Sequence, residues 1–486
     1  MGKEGATPLT YIITNAEKQY CMTLIIVAIL LIGYLLIATE QKTNVNRAAV
    51  AVFVGTVGWV LYICYGTDFV MREHQGDYVD FLNGAVATST AVKHYIAQNI
   101  FLKYVGRAAE IVLFLLATMT IVEILHNNGC FDFLTPMVRT RKSKRLLWSV
   151  AAVTFVISAN LDNLTTTSLM LVVVHNLLSQ RRLRFIYGSA VVISANTGGA
   201  LTVIGDPAGI LLWNSSAVTA TNFSMSLFIP CLLAWAVPVF LLSRMLPERV
   251  DISWKPMPYR GDDTNLNTWQ RMLMLVVGIG GLWFIPTFHN ITKLSPFLGA
   301  LCVLAVLWIV NEIFNHKLYS VEKMTERRMP RVLQYGVVQM ILFVMGIMLA
   351  VGVVEETGAV RWLATQCDHY IHNIWIMGVL AAITGTVLDT FTTELSFFSL
   401  FPISETSPVG ADAYTEAFVT NGYYWKVVAY CSAVAGNFLA IGSLSGVALL
   451  KMEHMPMGWF LRNVGWKAIL GALAGFAALA LVAYLW

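Results

Sequence analysis

The sequence predicts an all-α membrane protein that crosses the bilayer many times and is built from two inverted repeats. Of its 486 residues, 57% are hydrophobic and only 12% are charged, whereas a soluble domain carries about 25% charged residues. Four apolar segments are interrupted by polar residues, glycine or proline. Those interruptions occur in the same order, with similar motifs, in each half of the chain.

Several uninterrupted apolar runs reach the length of about 20 residues that a helix needs to cross the hydrocarbon core. The interval 66–107 is mixed, and its amphipathic part near Ala87–Tyr104 predicts a helix on the membrane surface rather than a crossing. The predicted spans are Tyr20–Ala38, Arg47–Tyr65, Ala109–Leu125, Ser226–Leu246, Thr268–Phe288, Pro296–Phe314, Val332–Val354 and Lys467–Trp486.

The first interrupted segment, residues 146–178, is too long for one crossing and too short for two. It is 33 residues long, and two crossings need roughly 40. The basic stretches "RTRKSKR" and "QRRLR" flank it, and such stretches are typical of cytoplasmic loops. We therefore predict a re-entrant hairpin that starts and ends on the cytoplasmic side, with "SANLDNLTTTSLM" at its tip.

The second interrupted segment, residues 375–402, is centred on "TGTVLDTFTTELSFF" and has mostly acidic flanks, interrupted by Arg361. It lacks the Lys/Arg signal of a cytoplasmic loop, so we predict a hairpin that enters from the external face. The acidic residues are Glu355, Glu356 and Asp368 before the segment, and Glu405, Asp412 and Glu416 after it.

A glycine-interrupted span follows each hairpin, at 185–222 with "SANTGGALTVIGDPAG" and at 425–457 with "SAVAGNFLAIGSLSG". A broken helix is tolerated in lipid where its free backbone groups line a cavity or bind something. Two interrupted segments at matching positions of two halves are typical of a transporter with a site near the midplane. The matched positions are Asp162 and Asp389, Thr165 and Thr392, and Gly205 and Gly442.

This pattern divides the chain into four parts. Residues 1–108 form a scaffold of N-terminal spans and a surface segment, and residues 109–246 form the first repeat. A cytoplasmic linker, 247–267, leads to the second repeat, 268–486.

The hairpin tips and helix breaks are rich in oxygen-bearing side chains. An ionised carboxylate near the bilayer centre is costly unless it meets a cation, a proton or a polar cavity, and small hard cations such as sodium prefer oxygen ligands. We therefore predict an ion site. The candidates are Asp162, Asn163, Thr165, Thr166, Asn196, Thr202, Asp206, Asp389, Thr390, Thr392, Thr393, Glu394, Asn437 and Ser443, with Ser445 beside them.

Structural roles are the alternative for the same residues. Asp162, Asp389 and Asp206 can cap the helices that follow them, and the threonines can bond back to their own helix. Glu394 stands where the first repeat has Thr167, and it can be a solvated vestibule residue. Capping does not require the same D-x-x-T-T string in both halves, so the repetition favours ion binding. Asp162, Asp389 and Glu394 are then the candidates to carry a proton. His175, on the exit arm of the first hairpin, is predicted to be a packed polar residue.

The motifs "SANLDNLTTTSLM" and "ISANTGGALTVIGDPAGILLW", with "LDTFTTELSFF" and "GNFLAIGSLSGVALL", resemble those of NhaD-type sodium/proton antiporters of the ion-transporter superfamily. The resemblance covers the chain from about Ala109 onward. It implies a scaffold domain, an elevator-type transport domain and a homodimer. It also implies sodium or proton binding at Asp162, Asn163, Asn196 and Asp389. "IGSLSG" lacks a partner for Asp206, and Thr390 replaces Asn163, so the two halves are not equivalent.

We expect sodium, and by similar chemistry lithium, to exchange for protons at shared carboxylates in a multi-pass protein of the bacterial inner membrane. A sodium-coupled symporter of dicarboxylates on the same architecture is the alternative, although four carboxyl groups near the site argue against an anion. The sequence offers no constellation typical of an enzyme, so we expect no catalysis, no cofactor beyond the transported ions, and no partner other than lipid and a second copy. Nucleic acid is not expected to bind.

Overall fold

A computed structural model describes residues 8–43, 45–131, 140–252, 266–315, 335–404 and 412–485. Within these ranges, nine helices are long and apolar enough to cross a membrane. Eight of them overlap the predicted spans, and the ninth is the second broken helix, so the prediction of a polytopic all-α protein is confirmed. They are Tyr20–Ala38, Arg47–Cys64, Ser89–Asn127, Ala220–Ser243, Thr268–Thr292, Pro296–Asn315, Val337–Glu356, Tyr423–Met452 and Met457–Leu485.

The N-terminal helices differ from the prediction at one place. The amphipathic part near Ala87–Tyr104 is not a separate surface helix, because it continues without a break into the next span. A π-helical turn, Ile96–Phe101, lies inside this continuous helix. The helices of this region are α1 (Pro8–Ala38), α2 (Glu40–Thr43), α3 (Arg47–Cys64), α4 (Gly66–Glu73), α5 (Gln75–Leu82) and α6 (Ser89–Asn127).

The first hairpin and first broken helix each consist of two helical arms with a short irregular break between them. The second broken-helix arm stops at Asn214, so the predicted range 185–222 runs into the next helix. The helices are α7 (Ser143–Ser158) and α8 (Asn163–Leu177) of the hairpin, α9 (Arg181–Gly199) and α10 (Pro207–Asn214) of the broken helix, and α11 (Ala220–Ser243).

The second half repeats this arrangement after an interval in which the described residues form four helices. The intervening helices are α12 (Thr268–Thr292), α13 (Pro296–Asn315), α14 (Tyr335–Glu356) and α15 (Ala359–Tyr370). The repeat comprises α16 (Ile374–Gly385) and α17 (Thr390–Phe398) of the hairpin, the short α18 (Ala413–Glu416), α19 (Tyr423–Leu439) and α20 (Leu444–Met452) of the broken helix, and α21 (Met457–Leu485). Glu405 and most of the predicted linker lie outside the described residues.

The chain forms two compact units. One unit comprises Met1–Val112, Gln339–His372 and Ser399–Phe401, and the other contains both hairpins and both broken helices. The predicted boundaries of scaffold and repeats stay a prediction, because the units follow contacts rather than repeats.

In the unit that contains the N-terminal helices, one carboxylate links three elements. Glu356, at the end of α14, pairs with His74 at 2.7 Å and accepts a hydrogen bond from the Tyr104 hydroxyl at 2.8 Å. His74 lies between α4 and α5, outside the candidate spans. The hydrogen bond to Glu356 raises the pKa of His74 above its ordinary value of 6.5.

The two ends of the first hairpin lie against one short stretch of chain. Lys142, just before α7, pairs with Arg249, and Leu178, just after α8, pairs with Ile252, each as an isolated antiparallel bridge. The Tyr187 hydroxyl also donates to the Ser143 carbonyl at 2.8 Å, which ties the start of the hairpin to α9. The segment therefore turns back on itself, as predicted from its length and basic flanks.

The arms of the two repeats pack reciprocally. Within each repeat, the first hairpin arm packs against the first arm of the broken helix, α7 on α9 and α16 on α19. The second arms cross over: α8 packs against α20 of the other repeat, and α10 packs against α17. This exchange is the relation expected of two interlocked inverted repeats.

Matched glycines allow each break to approach its own hairpin. A Cβ at Gly205 would lie 2.6 Å from the Ser158 carbonyl oxygen, and a Cβ at Gly442 would overlap the carbonyl oxygen of Gly385. Only a residue without a side chain permits such close backbone contact. The match between Gly205 and Gly442 in the sequence therefore corresponds to equivalent contacts in the structure.

Candidate ion-binding site

The second arm of each hairpin begins at an aspartate that caps it. Asp162 Oδ1 accepts the backbone N–H of Thr165 at 2.8 Å, and Asp389 Oδ1 accepts that of Thr392 at 3.0 Å. Asp389 Oδ2 also accepts the Thr392 hydroxyl at 2.5 Å. Capping, the structural alternative for both aspartates, is thus confirmed, and the D-x-x-T spacing places the first turn's donors on the carboxylate.

The second arms of the broken helices are capped as well, but by different residues. Asp206 Oδ1 accepts the backbone N–H of Ala208 at 3.0 Å, and Ser443 Oγ accepts that of Gly446 at 3.0 Å. Both caps lie at the positive end of a helix dipole. The repeats therefore share the geometry of the break, while only the first places a carboxyl group there.

A direct side-chain bond joins the tip of the first hairpin to the first break. Asn163 Nδ2 donates to Asp206 Oδ2 at 2.7 Å. Asn163 is 6% exposed and Asp206 is 4% exposed. A hydrogen bond to a charged oxygen is roughly twice as strong as one between neutral groups, so Asn163 supports an ionised Asp206 at a buried position.

Polar contacts also join the two repeats where their breaks meet. Asn196 Nδ2 lies 2.9 Å from both Asn437 Oδ1 and Ser443 Oγ, and the Ser445 hydroxyl donates to the Asn163 carbonyl at 3.0 Å. The Asn196 side-chain oxygen is buried without a hydrogen-bond partner among the described residues. An amide oxygen in this condition is a suitable ligand for a small cation.

The threonines divide into two groups. The Thr202 hydroxyl donates to the Ala159 carbonyl at 2.5 Å and accepts the N–H of Gly205 at 3.1 Å, which stabilises the break itself. Thr166 and Thr393 instead have buried hydroxyl oxygens with no hydrogen-bond partner in the described part of the chain. They do not bond back to their own helices, so that alternative is wrong for these two residues. Thr390 is also buried.

Glu394 is buried rather than solvated. It is 1% exposed, its Oε2 lies within hydrogen-bond distance of the Ser432 hydroxyl, at 3.0 Å, and its Oε1 has no partner among the described residues. The vestibule alternative for Glu394 is therefore wrong. Ser432 was not among the predicted residues, because the match of Gly205 with Gly442 aligns it with Ala195 and the sequence shows no repeated signal at this position.

The four carboxyl groups predicted to act together lie in one unit. Asp206 is within electrostatic range of Asp162, Asp389 and Glu394. The structure does not join Asp162 to Asp389 directly, since each caps its own helix. In the described residues, no group of three or more His, Cys, Asp or Glu side chains is arranged to hold a metal ion. We call the place where the hairpin tips meet the helix breaks the crossing. The oxygens gathered there are thus mainly those of amides, hydroxyls and single carboxyl groups.

A second polar cluster lies at the far ends of these arms. Glu453, after α20, accepts a hydrogen bond from Arg184 Nε at 2.7 Å and pairs with His175 Nδ1 at 2.7 Å. Its side chain is 2% exposed. His175 is therefore held by a carboxylate, but its own side chain is 48% exposed, so the prediction of a packed residue is wrong. Glu453 was not among the predicted residues, because its partners come from the other repeat.

Interlocked repeats with capped half-helices meeting at buried carboxyl and amide groups define a secondary transporter. The model of the citrate transporter family matches residues 12–419, and the chain belongs to that family. It is also similar to proteins named as sodium/proton antiporters, and this agrees with the resemblance found in the motifs.

Two of these relatives are plant proteins and one is bacterial. Sodium/proton antiporter 1 of Arabidopsis thaliana is 31% identical, over 92% of this chain and 70% of the relative. Sodium/proton antiporter 2 of the same plant is 26% identical, over 91% of this chain and 96% of the relative. The Na(+)/H(+) antiporter NhaD of Vibrio parahaemolyticus is 25% identical, over 70% of this chain and 82% of the relative.

Proposed function

We propose that this protein is a secondary active transporter that exchanges sodium for protons across a membrane. One observation carries the proposal: the buried Asp206 carboxyl group accepts a hydrogen bond from Asn163 at the place where a hairpin tip meets a helix break. The names of the relatives support the same activity. Lithium has similar hard-cation chemistry, and we include it as a second substrate.

Exchange follows from the cost of burying an unpaired charge. A sodium ion or a proton neutralises a buried carboxylate, whereas the empty, ionised carboxylate is reluctant to cross the hydrocarbon region. Asp206, Asn163 and Asp162 supply oxygens for sodium from the first repeat, and Asp389 and Asn196 add oxygens near the crossing. Each half of the cycle therefore needs one of the two ions, which couples their movements in opposite directions.

The proposal is tested in everted vesicles that report an imposed pH gradient through a fluorescent dye. Adding sodium should dissipate the gradient in vesicles with the wild-type protein and leave it intact in vesicles without the protein. Asp206→Asn and Asp162→Asn should abolish the response to sodium. A full sodium response in either variant, produced at wild-type levels, would contradict the roles given to these carboxyl groups.

The second candidate is a sodium-coupled symporter of dicarboxylates or a similar anion. The description of the family as citrate transporters favours it, and the helix N-termini at the crossing could face an anion. The carboxyl groups of Asp162, Asp206, Asp389 and Glu394 oppose it, because they would repel a dicarboxylate. Sodium-dependent uptake of labelled succinate or citrate, without a sodium response in the dye assay, would favour the symporter.

Further parts of the proposal concern location and assembly. We propose a bacterial inner-membrane location, since the basic flanks of the first hairpin are typical of cytoplasmic loops. A homodimer with elevator-type movement is proposed from the motif resemblance, and crosslinking in membranes would test it. Transport rather than catalysis is assigned because the relatives described above are named as antiporters. The proposal needs no cofactor and no nucleic acid, and its only other partner is lipid.

A further inference from the structure

The Ser432 hydroxyl has two hydrogen-bond contacts but a single proton. Its Oγ lies 3.0 Å from Glu394 Oε2 and 3.1 Å from the carbonyl oxygen of Ala429. An ionised Glu394 only accepts hydrogen bonds, so the single proton of Ser432 would then be shared between two acceptors. If Glu394 is protonated, it donates to Ser432 and Ser432 donates to Ala429. A protonated Glu394 therefore gives each contact a proton of its own.

Ser194, a serine of the first broken helix, also lies between a backbone carbonyl and a second polar side chain, and there the direction of each bond is unambiguous. Ser194 Oγ donates to the Ala190 carbonyl at 2.7 Å and accepts a hydrogen bond from Trp235 Nε1 at 2.9 Å. The indole N–H is a donor only, so the proton of Ser194 is available to the backbone carbonyl. Ser432 has Glu394 as its second polar neighbour, and a carboxyl group can donate only in its protonated form.

The surroundings of Glu394 agree with this state. It is 1% exposed, and an ion at this position would have at most one donor, which is costly in an apolar environment. Helix α17 packs against α10, α16 and α19. Helix α16 has no titratable residue, and Asp206, the cap of α10, is within electrostatic range of Glu394 and disfavours a second negative charge.

Helix α19 contributes the remaining titratable groups. Lys426, the cationic residue of this helix, lies near its start. Its Nζ is 4.5 Å from the centroid of the Tyr423 ring. The other groups are weak acids: Tyr424 donates to the Phe397 carbonyl, Tyr430 donates to the Ala472 carbonyl, and Cys431 is buried. No hydrogen bond or ion pair joins any of them to Glu394 among the described residues.

We propose that Glu394 carries the exchanged proton, while Asp206 and Asn163 hold the sodium ion. This assignment rests on the proposed exchange and separates the two ions onto different carboxyl groups. Sodium beside Asp206 reduces the repulsion that opposes ionisation of Glu394, so the proton leaves for water. When sodium departs, the Asp206 charge favours proton uptake again. One sodium ion for one proton leaves the net charge of the pair unchanged.

The test separates sodium movement from proton movement in proteoliposomes. Exchange of radioactive sodium for unlabelled sodium, without a pH gradient, measures sodium binding and crossing, and a pH-sensitive dye measures coupled proton movement. In Glu394→Gln, the amide can donate to Ser432 as the protonated acid does, but it cannot release a proton. We expect sodium–sodium exchange to persist near the wild-type rate and sodium-driven proton movement to be lost.

A control variant shows whether loss of any glutamate has the same effect as loss of Glu394. Glu416→Gln makes the same change at an exposed position and should keep both activities. If a folded Glu394→Gln variant keeps both activities, Glu394 does not carry the proton. If it loses both, Glu394 is a sodium ligand, and the assignment is equally overturned. Wild-type protein that exchanges sodium but never moves protons would refute the proposed function itself.

An infrared measurement on the wild-type protein does not depend on how a variant folds. The difference spectrum on adding sodium should show the loss of a carbonyl band from a protonated carboxylic acid. Ser432→Ala should shift the position of this band and the pH profile of exchange without abolishing sodium–sodium exchange. Absence of any sodium-induced carboxylic-acid band in active wild-type protein would overturn the assignment.

Discussion

Replacing Asn163 by alanine tests how the site keeps a carboxylate ionised. The change removes the 2.7 Å hydrogen bond to Asp206. It keeps the contact from Ser445, which is made to the backbone carbonyl of residue 163. The perturbation therefore removes this bond and the amide oxygen proposed to bind sodium, and it keeps the backbone contact at the first hairpin tip.

The expected size follows from the strength of a hydrogen bond to a charged group. Such a bond contributes about 1.5–3 kcal/mol, and about 1.4 kcal/mol corresponds to a tenfold change in an equilibrium constant. Without the amide donor, Asp206 holds a proton more readily, and sodium must displace it. The apparent KM for sodium at neutral pH should therefore rise about 10- to 150-fold, with little change in maximal rate.

The assay is sodium-driven dissipation of a pH gradient in everted vesicles, measured over a range of sodium concentrations and at several pH values. The KM of Asn163→Ala should fall as pH rises, because fewer protons then compete, and stay above that of wild type, because the amide oxygen is missing. Asn160→Ala is the matched control, since its amide donates to the Val156 carbonyl rather than to a carboxylate. A folded Asn163→Ala variant with an unchanged KM at every pH would refute the reasoning.

Three further predictions concern stability, measured by thermal unfolding in detergent. Gly205→Ala should destabilise the protein by about 1–3 kcal/mol, because its Cβ would lie 2.6 Å from a carbonyl oxygen. Gly106→Ala is the control and should not destabilise it, because a Cβ at Gly106 would meet open space. Equal melting temperatures of the two variants would contradict the packing around Gly205. Glu453→Gln should cost about 1–3 kcal/mol, since the half-buried guanidinium of Arg184 loses its charged partner. An unchanged melting temperature would argue against the ion pair. The raised pKa of His74 implies that its bond to Glu356 stabilises the protein fully below about pH 6.5 and less as pH rises through the raised pKa. His74→Gln should therefore lower the melting temperature most in acid, and a difference that does not depend on pH would contradict this.

The repeat was predictable because the residues that define it make contacts within a short stretch of sequence. Asp162 and Asp389 cap helices through residues three positions later, so their role leaves a short, recognisable string. The glycines at 205 and 442 are likewise required by close backbone contact within one repeat. Features of this kind depend on a few neighbouring residues, which is why the sequence indicates them.

Contacts between elements distant in the sequence were not predictable in the same way. Two bonds depend on the position of each hairpin relative to its broken helix. They are the bond between Asn163 and Asp206 and the bond between Glu394 and Ser432. Both residues of the first pair were candidates, but no pattern paired them. For Ser432, the repeat offered no signal, because the matching position of the first half is Ala195.

The misassigned segment near Ala87–Tyr104 has a different physical reason. The π-helical turn at Ile96–Phe101 changes the number of residues per turn. The apolar face before this turn is therefore out of phase with the face after it. One continuous helix then looks, in the sequence, like an amphipathic segment followed by a separate span.

The reciprocal packing of the repeats has a consequence for the synthesis of the protein. Helix α8 ends at Leu177, and its partner α20 begins at Leu444, so about 270 residues separate their emergence from the ribosome. At about 5–20 residues per second, the first hairpin waits roughly 15–50 s for the helix that covers it. During that time its buried polar tip must be tolerated in the insertion machinery or at the lipid boundary. The half-built molecule is therefore the stage at which this protein is most exposed to misassembly and proteolysis.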